Sequence, residues 1–165
     1  MRLSVCLVLL VALGLAVGST PAAGQTASAT LNGPVIGLAR LTLSSAAVTF
    51  PDADPDSMPN VAASQGPITV TAKARTMVNG RVTLTVLATG PLRSGLNTIP
   101  ASNVTWTASG AGFSGGTLNA SAAQTVGAWN GSGARTGTQM FFFKNLWTYA
   151  TGTYSLTMTF TLTAA

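Results

Sequence analysis

From Tyr154 to Thr163 the chain alternates without a break. Tyr154, Leu156, Met158, Phe160 and Leu162 fall between Ser155, Thr157, Thr159, Thr161 and Thr163. Successive strand side chains point to opposite faces, so as a strand this segment has one apolar face and one hydroxyl face, whereas a helix would mix the two all round. The same grammar recurs upstream. Ala39, Leu41 and Leu43 alternate with Arg40, Thr42 and Ser44, and Ile68, Val70, Ala72 and Ala74 with Thr69, Thr71, Lys73 and Arg75. Val82, Leu84 and Val86 alternate with Thr83 and Thr85, and Val104, Trp106 and Ala108 with Thr105 and Thr107. Met140 to Phe143 is a short continuous apolar run, the pattern of a strand covered on both faces.

Turn chemistry separates these runs. Asn79-Gly80, set between two alternating segments, predicts a tight hairpin. Gly90-Pro91, Ser109-Gly110, Ser114-Gly115-Gly116 and Thr151-Gly152 punctuate the rest. Six to eight strands at this spacing predict an all-β fold, an antiparallel sandwich or barrel. Connections of unequal length, from the Asn-Gly turn to the long Pro51–Pro67 excursion, favour the sandwich.

The first residues predict export. Arg2 supplies a positive charge, Leu3 to Val17 is an apolar run relieved only by Ser4 and Gly14, and small residues follow to Gly24. This order is that of a cleaved secretory signal peptide, residues 1–24, with Ala23 as the neighbouring cleavage site. As a helix the apolar run would rise about 22 Å, short of the roughly 30 Å hydrocarbon core, which argues against a permanent span. Cys6 opens the run rather than following it, so it is not placed as a lipid anchor. Once Cys6 leaves, the chain has no cysteine, and the fold rests on its core and its sheet hydrogen bonds alone. The remainder suits a loose segment, 25–34, and one domain, 35–165. Ala27, Ala29 and Leu31 alternate with polar residues and form a candidate edge or donor strand.

Composition removes most enzyme classes. The sequence has no histidine and no glutamate, and its three acids, Asp52, Asp54 and Asp56, crowd into five residues. Acid–base catalysis, nucleophilic triads and paired-carboxylate hydrolysis all lack parts, and no enzyme is expected. The aspartates read either as a calcium site, since carboxylates at alternate loop positions can converge on a hard cation, or as a solvated turn. Trp106 falls on the apolar side of its strand and reads as core. Trp129, inside Gly127-Ala128-Trp129-Asn130-Gly131-Ser132-Gly133, is the aromatic expected in a glycine-rich loop, where it would stack on a ligand. Lys73, Arg75 and Arg81 read either as a site for an anionic polymer or as charges that keep a sheet face soluble. Without Arg2, seven basic residues face three aspartates, a net +4, with no basic run of nucleic-acid type.

Val48-Thr49-Phe50-Pro51-Asp52-Ala53-Asp54-Pro55, followed by Gly66-Pro67-Ile68-Thr69-Val70-Thr71, resembles the early part of spore-coat-protein-U and fimbrial-type domains. Ala150-Thr151-Gly152-Thr153-Tyr154-Ser155 is similar to the start of their last strand. The resemblance covers about a third of the exported chain and implies an immunoglobulin-like fold and a place in surface fibres or coats. The chain departs from that pattern in having no disulfide and no tyrosine near its end. Together these readings lead to the expectation of a secreted or envelope-associated structural or adhesive protein that self-associates through sheet edges. The alternative is a monomeric module that binds cell-wall or extracellular polysaccharide.

Overall fold

The computed structural model describes residues 29–165. The chain divides into two compact units, Met1–Gly33 and Pro34–Ala165. The predicted signal peptide and Ala27 lie outside the described residues. Of the first unit, Ala29 to Gly33 are exposed and belong to no strand.

The second unit is all-β, with eleven strands among the described residues. They are β1 (Leu38–Leu43), β2 (Asn60–Ala62), β3 (Ile68–Arg75), β4 (Arg81–Ala88), β5 (Leu92–Ser94), β6 (Asn97–Ile99), β7 (Val104–Ser109), β8 (Gly116–Thr117), β9 (Gln124–Asn130), β10 (Gly133–Lys144) and β11 (Met158–Ala164). Seven of them run six residues or more and match the six to eight expected. The other four are two- or three-residue pieces too short to leave a periodic trace in sequence. Every ladder is antiparallel. No helix among the described residues is long and apolar enough to cross a membrane.

The strands form two main sheets, one ordered β1-β3-β10-β7-β8 with β2 also on β10, the other β11-β4-β9. β5 and β6 make a separate hairpin. Ile68, Val70, Val104, Trp106 and Phe141 of the first sheet share one buried cluster with Leu84, Val86 and Val126 of the second. The two sheets therefore pack face to face as a sandwich, each fully buried large side chain contributing roughly 1.5–3 kcal/mol. Alternation decides which face is inside: β3 buries Ile68, Val70, Ala72 and Ala74 and turns Thr69, Thr71, Lys73 and Arg75 outward. Trp106 is anchored within this core by its indole N–H, which donates to the Ser114 carbonyl at 2.9 Å. Its ring lies so close to Gly116 that a β-carbon there would sit 2.6 Å from Cζ2. Near the last strand the Tyr154 hydroxyl donates to the Ala150 carbonyl four residues back at 2.9 Å, the local geometry of a tyrosine corner.

The Asn-Gly turn forms where expected but does a different job. Asn79 sits at φ 61°, and the Gly80 N–H closes the turn on Met77 O at 2.9 Å. The strands it joins do not pair: β3 lies between β1 and β10, and β4 between β11 and β9. The turn carries the chain from one sheet to the other. Local chemistry fixes the reversal, while the partner of each strand is decided by which faces must be buried. β9 and β10 are likewise in different sheets, and their connection meets the first turn through Gly131 N–H to Gly80 O at 2.8 Å.

Candidate functional site

A sandwich has two seams where the edges of its sheets meet, and here they differ. On one side the loop from β7 to β8 is joined to β9. Ala128 N–H donates to Gly112 O at 2.8 Å and Ser114 N–H to Val126 O at 3.0 Å, with a further bridge between Phe113 and Gly127. On the other side β1 and β11 run beside each other with no ladder between them, and no backbone hydrogen bond joins the two strands among the described residues. The inward side chains along this seam, Leu41 and Leu43 on β1 and Met158, Phe160 and Leu162 on β11, are only half-buried although they pack on the core. A cavity of about 50 Å³ opens there, lined by Leu43, Val48, Ile68, Phe141, Met158 and Phe160 among others. Each edge offers one unpaired row of backbone groups beside apolar side chains, the chemistry a further strand needs. Alternation marks both segments as strands but carries no sign that β1 and β11 are neighbours. Ala29 and Leu31, the described part of the donor candidate, are exposed and unpaired, Leu31 almost completely.

The aspartates occupy the turn before β2, and among the described residues no group of three acidic, histidine or cysteine side chains is gathered for a metal ion. The carboxylates of Asp54 and Asp56 have local tasks. Asp54 Oδ1 accepts the Asp56 N–H at 3.0 Å, and Asp56 Oδ1 accepts the Trp147 indole N–H at 3.0 Å. Asn145 ties the same loop down, donating to the Ala53 carbonyl at 2.8 Å. The aromatic held against this loop is Trp147, 69% exposed, from the connection between β10 and β11, and Met58 and Leu146 are exposed as well.

Trp129 stands on β9 rather than in a loop. It is half-buried and packs on Phe113 with ring centroids 6.1 Å apart, and its indole N–H is buried without a partner among the described residues. The glycines around it read as loop in sequence. Gly127 instead lets β9 pass under Gly112 and Phe113, whose atoms would lie 3.1 and 3.5 Å from an added β-carbon.

Lys73 and Arg75 are exposed on the outer face of β3, and Arg40 joins them, directly opposite Lys73 in the β1–β3 register. Arg81 is exposed at the start of β4. Tyr149, half-buried against Phe143 at 5.7 Å, receives the Asn103 amide at 2.8 Å. Burial pushes its phenol above the ordinary 10.0, and the Asn103 hydrogen bond pulls the other way. No protein-family model matches the sequence, and no curated protein matches it significantly.

Proposed function

We propose that this is an exported structural subunit of a fibre or coat, which self-associates by adding a strand at the open seam between β1 and β11. The observation that carries the reading is the asymmetry of the two seams: one is joined by backbone hydrogen bonds, while the other leaves both edges unpaired beside half-exposed apolar side chains. Strand addition satisfies the unpaired N–H and C=O groups and covers Leu43, Met158 and Phe160 in one step. The alternating segment ahead of the sandwich, with Ala27, Ala29 and Leu31, is the donor candidate from a neighbouring copy. Light scattering and negative-stain microscopy of the processed protein are expected to show fibres or defined oligomers. Deleting Gln25 to Asn32 should abolish them, and Met158→Lys should weaken them by placing a charge in the seam. Assembly unchanged by the deletion removes the donor; a monomer at every concentration removes the reading.

A second reading, a polysaccharide-binding module, draws on Trp147. A large exposed ring tied to Asp56 has the form of a stacking platform, with the Asp56 carboxylate beside it to accept a sugar hydroxyl. Trp147→Ala should then lower retention on an immobilised glycan severalfold, while Trp129→Ala acts through stability. Equal retention of wild type and Trp147→Ala ends this reading.

A further inference from the structure

One end of the sandwich carries both the largest exposed apolar cluster and most of the positive charge. The turn from β3 to β4 presents Met77 at 76% and Val78 at 94% exposure, where turn chemistry would place polar residues. Beside it Val35, Ile36 and Leu38 are also exposed, and a cavity of about 210 Å³ lies among Val35, Ile36, Arg75, Thr76, Met77 and Ala165. Around them stand five of the seven basic residues beyond Arg2. Arg75 and Arg81 flank the turn, Arg40 pairs with Lys73 across the β1–β3 ladder, and Arg135 lies opposite Ala72 in the next ladder; all are exposed. No aspartate stands at this end among the described residues.

The acidic side chains are elsewhere. Asp52, Asp54 and Asp56 are held at the far end of β10 by Asn145 and Trp147, with Lys144 close by. From Arg135 to Asn145 is ten residues of strand, about 33 Å. At physiological ionic strength the Debye length is about 8 Å, so the two ends act as separate fields. An apolar tip ringed by cations fits a surface that is anionic outside and apolar beneath. We infer that this end docks the protein on an anionic phospholipid bilayer, Met77 and Val78 entering the headgroup boundary while Arg40, Lys73, Arg75, Arg81 and Arg135 meet lipid phosphates. This contact is at the end of the sandwich where β1 begins and β11 ends, away from the cavity that Leu43, Met158 and Phe160 line at the other end of the seam.

The test is sedimentation of the processed protein with vesicles of phosphatidylcholine alone and of an equimolar mixture with phosphatidylglycerol. Binding is expected to the mixed vesicles only and to fall with salt. Lys73→Gln and Arg75→Gln should each lower it about fivefold, the change of one base near the surface. Met77→Ser with Val78→Ser should lower it further at a salt concentration where wild type still binds. Near-UV circular dichroism matching wild type excludes unfolding as the cause. No binding, equal binding to both vesicles, or binding indifferent to these variants overturns the inference. So does capture by soluble polyphosphate without capture by vesicles, or a lipid-free oligomer that the Met77 and Val78 changes dissolve.

Discussion

Gln139 allows a sharp test of how this core is built. It is fully buried in the middle of β10, opposite Ile68 on one side and Ala108 on the other, on the same inward face as Phe141. Neither its Oε1 nor its Nε2 finds a partner among the described residues. A buried amide left unpaired costs about 1–3 kcal/mol by protein mutational measures. Gln139→Met keeps an unbranched side chain of similar reach and removes both polar atoms. With the amide penalty at about 2–3 kcal/mol and a swap cost of about 1 kcal/mol, inside the usual limit of about 1.5, the net stabilisation is about 1–2 kcal/mol. For a domain of this size that is roughly a 3–8 °C rise in Tm. Urea unfolding followed by tryptophan fluorescence should show a higher midpoint at unchanged slope. A variant destabilised by about 1 kcal/mol or more would refute the reasoning, because it would mean the amide is hydrogen-bonded inside the core.

Three further outcomes follow from single contacts. Gly137→Ala should cost about 1–3 kcal/mol by overpacking, read as a lower urea midpoint, because its β-carbon would meet Phe113 Cδ2 at 2.5 Å and the Ser109 carbonyl at 2.6 Å. The raised phenol of Tyr149 contributes stability that is fully present below its ordinary 10.0 and is lost as pH rises through the raised value. Unfolding free energy should therefore fall above about pH 10, and Tyr149→Phe should flatten part of that fall. Millimolar Ca²⁺ should leave Tm unchanged, since Asp54 and Asp56 already accept hydrogen bonds from the Asp56 amide and the Trp147 indole; a rise reversed by chelator would restore the calcium reading.

The parts of the fold legible in sequence are those where alternation and burial coincide. β3 runs from Ile68 to Arg75, the alternating segment itself, because each of its apolar residues reaches the core. β11 begins at Met158 rather than Tyr154, because Tyr154 is held to Ala150 and Ser155 bridges Arg93 instead of joining the ladder to β4. β9 and the first half of β10 were hidden by glycine, which sequence grammar reads as turn. Gly127 and Gly137 are strand positions that lack a side chain because Phe113 lies against them. A bulge at Val126, where Leu84 pairs with Gly127 and the next residue Thr85 with Thr125, breaks the period of β9 further. The expected site residues fared by the same rule. Lys73 and Arg75 were visible as outward positions, but their neighbour Arg40 depended on register. Trp147 depended on Asp56, 91 residues earlier, which no local pattern connects.

The arrangement of charge bears on both proposals. Without a disulfide beyond Cys6, stability depends on the core, and an edge strand that keeps Leu41 and Leu43 half-buried contributes less to it than β3 or β10. Exposed sheet edges commonly carry isolated charges that discourage pairing, and one arginine on the edge strand β1 would serve. Arg40 directly opposite Lys73 goes beyond that need, since like charges facing each other across a ladder are destabilising. Arg75 lies two residues along on the same outer face, and all three acidic side chains are at the far end of β10. Solubility is served by dispersed charge, so it does not account for this clustering. A phosphate-bearing surface brought against the same end converts the mutual repulsion of Arg40, Lys73 and Arg75 into attraction. The far stretch of the seam, at Leu43, Met158 and Phe160, lies away from that contact, available for the next strand.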